Sequence, residues 1–479
     1  MPLLVTCPGL FYGSSAQDGI LSRMRIPGGI LNSAQAMAVA DLIDQYATGY
    51  IQVTNRANLQ LRGLAKNLNP EVFDKLKILG IASRHLEVDP IRNIMISPTA
   101  GIDPQQLVDT RPLVQAFDDY LQSHPELATL SPKFSVGFDG GELVSIRDRH
   151  NDITLVAQHS STTEFSFRLY LNLEAKNFDT GVVISTNYLS VLAALTQVYW
   201  QYCSQTPPSQ RKPRLRDLLA DWGVAAYLEK VEQYLESPLL RATDSLPQNE
   251  QNYKHLGIHQ QHQPGFSYIG IALPLGRLKS QQLRELANLA QTYGSGTIRL
   301  TPWQNLLISD LPDSQLPELQ QCLVKLGYHW DANRLESSLV ACAGSKGCAK
   351  ATSDTQSDGL ALVSNLRQRL SLDQPINIHI SGCEKSCAQH HQSDIALVGS
   401  QEMENIYDIY VGSGESSFGR KILHSVSADQ IPGLIEQLLK IYQEKRISNQ
   451  SFQEFINNQN LTQLQQWLAY GSPVSRDLR

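Results

Sequence analysis

The sequence predicts an α+β fold built by internal duplication. Shifting the chain by 247 residues lays Pro27–Leu59 on Pro274–Leu306 without a gap, with 13 identities in 33 positions. A second, fainter echo follows. Ser131–Gly140 leads into Asn151–Val156, and later Gln374–Gly382 leads into Ser393–Val398. Both pairs read as strand, glycine-rich loop, strand. The two halves differ in one respect: four of the seven cysteines fall within 46 residues of the second half.

Taken in order, each copy of the first repeat reads as strand, turn, helix, glycine turn, strand. The turn is marked by Pro27 and Gly29, and again by Pro274 and Gly276. The helix is predicted over Ser33–Tyr46 with Ser33 as N-cap, and over Ser280–Tyr293 in the second copy. Strands follow at Gly49–Val53 and Gly296–Leu300. Their ends are polar. Arg56, Asn58, Gln60 and Arg62 alternate, which on an extended strand sets two guanidiniums and two amides on one face. Guanidinium forks suit carboxylates. Thr301, Gln304 and Asn305 take the corresponding place in the second copy, so a macrocycle fringed with acid arms is the expected ligand. The competing reading is a solvated strand face. Arg92 and Asn93 precede Ser97–Gly101, and Lys133 follows Pro132. A basic run, Arg211–Arg216, opens a helix at the end that the helix dipole disfavours for cations. The glutamine-rich tail is amphipathic around Phe452–Leu468 and is expected to pack as helices.

Cys342 and Cys348 form a C-x5-C pair; after 34 residues Cys383 and Cys387 form C-x3-C. Four thiolates can close round a cubane 4Fe–4S cluster, one cysteine per iron. Gly344, Gly347 and Gly382 let the backbone approach the sulfides and point N–H groups at them. A structural zinc site competes, although C-x5-C is wide for a zinc knuckle. A disulfide framework belongs to short secreted chains. His390 and His391, just after the second pair, read either as metal ligands or as exposed loop histidines. Cys203 and Cys322 lie in apolar helical stretches where packing is the expected role.

With 479 residues the chain has room for several domains. A net charge of −6 gives no overall basic field for nucleic acid. No apolar run reaches the ~18 residues of a membrane span, and the N-terminal residues show neither a basic nor a long apolar signal region. A cytoplasmic protein that engages neither membrane nor nucleic acid is expected.

Together these residues resemble the sulfite/nitrite reductase superfamily, from about Asp18 to about Tyr442. The resemblance implies two ferredoxin-like half-repeats and two larger α+β domains. The expected segments are 1–85 and 241–330 for the half-repeats, 86–240 for an α+β domain without a cluster, 331–445 for the cluster domain and 446–479 for a helical tail. It also implies a 4Fe–4S cluster beside a modified tetrapyrrole, with Cys342, Cys348, Cys383 and Cys387 as ligands and Cys387 at the place that bridges to sirohaem iron. The family's arginine in its T-x-R-x-N-x-Q strand matches Arg56, its second arginine matches Arg92, and the first lysine of its L-P-R-K-x-K segment matches Lys133. At the second basic position of that segment, where sulfite reductases have lysine and nitrite reductases often asparagine, this chain has Ser135.

Other motifs look like the precorrin-3B synthase branch: Cys7–Leu10, Asp18–Arg23, Asn58–Leu64, Ser97–Gly101 and Ala341–Gly344. That branch implies a monooxygenase of aerobic cobalamin biosynthesis. It would hydroxylate precorrin-3A and close a γ-lactone with dioxygen, using electrons from an NAD(P)H-linked donor or ferredoxin. A mononuclear non-haem iron besides the cluster is implied there. The alternative is a ferredoxin-dependent sirohaem nitrite or sulfite reductase. Ser135, which removes a cation from the oxyanion pocket, weighs toward the synthase.

Overall fold

The computed structural model describes residues 8–47, 49–160, 164–173, 176–185, 187–207, 211–242, 246 and 253–469. Cys7, the first residue of one sequence motif, lies outside them. The chain forms two compact units. One comprises Gly19–Ile271 and Leu278–Tyr328 with the N-terminal segment up to Ser15; the other comprises Ala16–Asp18, Ala272–Arg277 and the chain from His329 onward.

The first repeat builds two antiparallel sheets in the first unit. One runs Gly19–Met24, Leu59–Leu64, Ile51–Val53, with Leu278 of the short strand Arg277–Leu278 at its edge. The other runs Gly257–Gln260, Phe266–Ile271, Leu306–Pro312, Thr297–Leu300, Ile30–Asn32. Each sheet is thus completed by a strand from the other copy, with Ile298 opposite Leu31 in the shared register. The helices Ser33–Tyr46 and Ser280–Tyr293 sit side by side, and Arg284 reaches both Asp41 and Asp44 at 2.6 Å. The φ angles repeat across the copies. Gly29 and Gly276 stand at 69° and 68°, a region that glycine enters without a Cβ penalty.

One helix start differs from the expectation. Asn32, not Ser33, is the N-cap: its side chain accepts the Gln35 N–H at 2.9 Å while Gln35 returns a bond to the Asn32 N–H. Ser33 instead donates to the carbonyls of Ala287 and Gly296, at 3.0 and 2.9 Å. In the second copy Lys279 occupies the N-cap position and Ser280 donates to Asp44. A serine one residue inside the helix was thereby freed for tertiary bonding.

The second echo builds one large sheet in each unit, with the same topology. In the first unit Asn93–Ile96, Ser135–Asp139 and Ile153–His159 are parallel, followed by the antiparallel strands Phe165–Leu173 and Lys176–Ile184. In the second unit Leu339–Ala341, Ile378–Ser381 and Ile395–Gly399 are parallel, followed by the hairpin Ile406–Ser416 and Gly419–Ser427. A carboxylate, buried in the first and half-buried in the second, pins the same point in both. The Ser135 N–H donates to Asp152 at 3.0 Å, and the Asn377 N–H donates to Asp394 at 2.8 Å.

Each sheet is covered by helices over its own apolar core. Phe117, Phe138, Phe167, Leu195 and Tyr227 belong to the first core. Ile380, Leu397, Leu438, Phe455 and Leu464 belong to the second. The tail contributes helices Phe452–Asn457 and Leu461–Ala469 to that second core. The basic run near 211 is absorbed locally: Arg211 and Asp217 are 2.9 Å apart, Arg214 meets Asp152, and Lys212 donates to the carbonyls of Ala128 and Leu130.

Candidate functional site

In the second unit the paired cysteines occupy loops at the carboxyl ends of two adjacent parallel strands, where open α/β sheets present their ligand sites. Cys342 directly follows Leu339–Ala341, and Cys383 lies two residues after Ile378–Ser381. The loops are tied together. The Cys342 N–H donates to the Ile380 carbonyl at 3.1 Å, and the Gly382 N–H points at the Cys342 sulfur at 3.2 Å. The Thr355 hydroxyl lies 3.6 Å from the same sulfur and donates to the Cys342 carbonyl at 2.8 Å. A Cβ on Gly382 would sit 2.5 Å from the Ala351 methyl, so the approach needs glycine. Gly344, at φ 64°, would put a Cβ 2.7 Å from the Thr355 nitrogen.

Cys342, Cys348 and Cys383 are half-buried and Cys387 is exposed. The Cys387 thiol is nonetheless pushed up, first by loss of hydration and then by the charges of Cys383, Cys342 and Cys348. The four sulfurs therefore share one electrostatic neighbourhood. Among the described residues, no three His, Cys, Asp or Glu side chains converge as a ligand set for a single ion. A zinc ion draws its sulfurs to about 2.3 Å from one centre; a cubane places each thiolate on a separate iron and holds the sulfurs apart. The donor set, four thiols on loops tied to each other, fits a cluster. His390 and His391 form no such converging group either. Cys203 is buried, as expected for packing, and Cys322 is intermediate.

In the first unit the polar strand ends depart from the expected geometry. Residues Thr54–Asn58 form a turn rather than a strand. The Thr54 N–H donates to the Asn58 carbonyl, the Thr54 hydroxyl oxygen accepts the Asn58 N–H, and Ala57 has φ 51°. The left-handed Ala57 breaks period-two alternation after Arg56, so Arg56 does not share a strand face with Gln60 and Arg62. The second copy repeats the turn. The Thr301 N–H donates to the Asn305 carbonyl, the Thr301 oxygen accepts the Asn305 N–H, and Gln304 has φ 63°. Thr301, Gln304 and Asn305 are buried, and Asn58 accepts the Ile26 N–H at 2.7 Å. In both copies these groups hold the turn.

The three expected catalytic cations have different surroundings. Arg56 is half-buried and donates to Asn151 at 3.0 Å. Lys133 is exposed. Arg92 is 3% exposed, its fork closed on both oxygens of Asp118 at 2.7 and 2.8 Å, with Asp89 at 3.7 Å. Arg92 thus serves a buried ion pair, and the expectation of a substrate-facing guanidinium is corrected. Ser135 is buried on Asp152, whose carboxyl burial pushes up despite Arg214 and Arg56. Sequence reasoning passed over Arg149 and His150, the neighbours of the Asn151 that Arg56 bonds; the only trace was their basic run beside Asn151.

The family profile described as the nitrite/sulfite reductase ferredoxin-like half domain matches residues 14–78 and 259–326. The profile described as the nitrite and sulphite reductase 4Fe-4S domain matches residues 87–239 and 336–474. The chain belongs to the nitrite and sulfite reductase family.

Within this family the chain is 32% identical over 452 residues to the ferredoxin–nitrite reductase of Synechococcus elongatus, covering 90% of this chain and 88% of that one. It is 28% identical over 492 residues to the assimilatory ferredoxin-dependent nitrite reductase of Haloferax mediterranei, covering 94% and 83%. Its fold matches the NirA protein of Mycobacterium tuberculosis with TM-score 0.80 at 24% identity, over 93% of this chain and 84% of that one. The protein is an oxidoreductase with the duplicated reductase fold and its 4Fe–4S domain. No described helix is long and apolar enough to cross a membrane.

These relatives overturn the narrower expectation. The precorrin-3B synthase branch, monooxygenation in cobalamin biosynthesis, precorrin-3A and dioxygen as partners and an NAD(P)H-linked donor are all replaced by the nitrite reductase relatives. The mononuclear iron has no support among them. One of the motifs that pointed to the synthase explains the error. Ser97–Gly101 is a buried turn in which the Ser97 and Thr99 hydroxyls lie 2.9 Å apart and Thr99 donates to Asp103. Such a motif reports how a turn is closed and carries no information about the reaction.

Proposed function

We propose that the protein is a ferredoxin-dependent nitrite reductase. The observation that carries this is the likeness to a ferredoxin–nitrite reductase sustained along 90% of the chain. The thiol cradle supports it. Reduction of nitrite to ammonium consumes six electrons and eight protons and releases two waters, so a one-electron donor must deliver repeatedly. In this reading Cys342, Cys348, Cys383 and Cys387 would hold the cluster, and Cys387 would also serve the sirohaem. When bound, these groups supply one-electron storage and an iron site for the oxyanion.

The chain's own residues do the rest. The Gly382 N–H beside the Cys342 sulfur favours the added electron by stabilising negative charge on the thiolate. Arg56, oriented by Asn151, draws in the anion. Lys133 is exposed, and in this reading it holds and passes a proton. Asn58, Thr301, Gln304 and Asn305 keep the two turns in shape, and Gln60 and Arg62 line the strand that follows the first turn. The five segments expected from the sequence, with residues 331–445 as the cluster domain, belong to this proposal, as does a reducing cytoplasmic setting for the thiols.

The test is an absorption spectrum of anaerobically purified protein, followed by assay with reduced ferredoxin. Intense Soret and visible tetrapyrrole bands and nitrite-dependent ammonium are expected. Cluster absorption alone, with no ammonium formed, would reject the proposal.

A further inference from the structure

The helix Thr355–Leu366 starts against the backbone of Cys342. Asp354 is its N-cap, so Thr355 and Gln356 are its first two residues. The Gln356 amide nitrogen donates to the Cys342 carbonyl at 2.6 Å and to the Ala341 carbonyl at 3.0 Å. The Thr355 hydroxyl donates to the Cys342 carbonyl at 2.8 Å. That hydroxyl has one hydrogen, so the Cys342 sulfur, 3.6 Å away, receives none from it. The Cys342 N–H is spent on Ile380, and the Gly382 N–H is aimed at the sulfur.

These donors meet carbonyls that the sheet leaves over. Leu339–Ala341 is an edge strand, and its register with Ile378–Ser381 stops at Ala341. A carbonyl at such an end needs a donor from elsewhere when water is kept out. Thr355 is fully buried and Gln356 is 3% exposed.

The orientation of the Gln356 amide is fixed by its partners. Turned over, it would set its oxygen against two carbonyl oxygens with no hydrogen between them. As it stands, the amide oxygen is buried with no donor among the described residues. A buried acceptor without a donor is unfavourable, and a methionine of similar length would avoid it. Packing alone therefore does not account for glutamine here, whereas the grip on Cys342 does. A second tie lies outside: Lys346, between Cys342 and Cys348, pairs with Asp354 at 2.6 Å and donates to Ser357 at 3.1 Å. Its side chain is 75% exposed, and exposed pairs contribute little.

We propose that Gln356 is a positioning residue for the Cys342 thiol, and that with Thr355 it lets this ligand accept added negative charge. Two donors on the Cys342 carbonyl offset the negative end of the dipole beside the sulfur, and the positive pole of the helix adds to them. The inference rests on the cysteine quartet holding the cluster, as in the proposed function.

The test compares the holoprotein, purified without oxygen, with Gln356→Met, Thr355→Val, Thr355→Ser and Lys346→Gln. Circular dichroism checks folding. Iron per chain, the rate at which a chelator removes it and the cluster's midpoint potential are read. Gln356→Met is expected to release iron roughly tenfold faster and to hold roughly tenfold less reduced cluster at the parent's midpoint, the scale of one or two lost hydrogen bonds. Thr355→Val is expected to lower the midpoint as well, and Thr355→Ser to restore it. Lys346→Gln is expected to quicken release less. A folded Gln356→Met that holds no iron also supports the positioning role, and the potential is then read from Thr355→Val. Parent release and parent midpoint in Gln356→Met overturn the proposal. So does equal quickening in Lys346→Gln, which assigns the effect to helix docking. Faster release with parent midpoints in Gln356→Met and Thr355→Val overturns the electrostatic role alone. A parent protein that takes up no iron rejects the quartet instead. The grip is then read from amide exchange over residues 342–348 in the iron-free chain, and equal exchange in parent and Gln356→Met overturns it.

Discussion

Arg56 and Arg92 look alike in the sequence, each a cation followed closely by asparagine, and the structure separates them by burial. Arg92 is closed on Asp118 at 2.7 Å in a dry setting, whereas Arg56 keeps a half-buried guanidinium on a neutral amide. Removing one partner of a buried pair leaves an uncompensated charge and costs about 3–5 kcal/mol. Asp118→Ala and Arg92→Gln are therefore expected to lose stability on that order in denaturant titrations. Arg56→Gln is expected to lose less and to weaken nitrite binding. A larger stability loss for Arg56→Gln would reverse the assignment. His255 gives a pH signature. Its folded value lies far below the ordinary 6.5 because burial disfavours the cation. Below pH ~6.5 the unfolded chain binds a proton that the folded chain refuses, so stability present above that pH is lost as pH falls toward 3. His255→Phe is expected to flatten that slope in unfolding midpoints measured between pH 7 and 5. An unchanged slope would exclude His255 as its source.

Among the helices and turns, the duplication is legible because it is written in identities, but the work of a repeated residue differs between copies. Ser33 and Ser280 align, yet one bonds to carbonyls of the second copy and the other to Asp44. Asn32→Ala is expected to cost about 1 kcal/mol, the usual loss for an N-cap, and the amide exchange of the first helical turn should quicken. The sequence sets Gly49 at the start of a strand. A Cβ there would lie 2.2 Å from the Arg62 carbonyl oxygen, so the requirement is close approach between neighbouring strands. Gly49→Ala is expected to lower the unfolding midpoint more than Gly433→Ala, where a Cβ meets nothing within 4 Å. Equal midpoints would discount the contact.

Across the chain, both large sheets follow one plan, and they differ in what ties their loops. In the second unit the loops present four thiols. In the first, carboxylates do the tying: Asp103 accepts from Thr99 and from the Leu143 N–H, and Asp139 accepts from Ser145 and the Ile146 N–H. Removing iron, or replacing Cys383 by Ser, is accordingly expected to raise hydrogen exchange in 342–355 and 381–391. Residues 97–103 and 139–146 should stay protected. Equal loss of protection in both sets would show that the carboxylate network does not hold its loops without metal.

Repeat, helix periods and cysteine spacing were all readable in the linear order, because each depends on residues close in sequence or on identity between copies. They were enough for the duplicated α+β plan and the family. The chemistry of the branch was not readable from short motifs, since a buried turn such as Ser97–Gly101 is selected by packing and recurs wherever that packing does. Which cation is spent on a carboxylate was likewise decided in three dimensions. Asp118 lies 26 residues from Arg92. Desolvation and pairing act through space, and only folding brings those partners within reach.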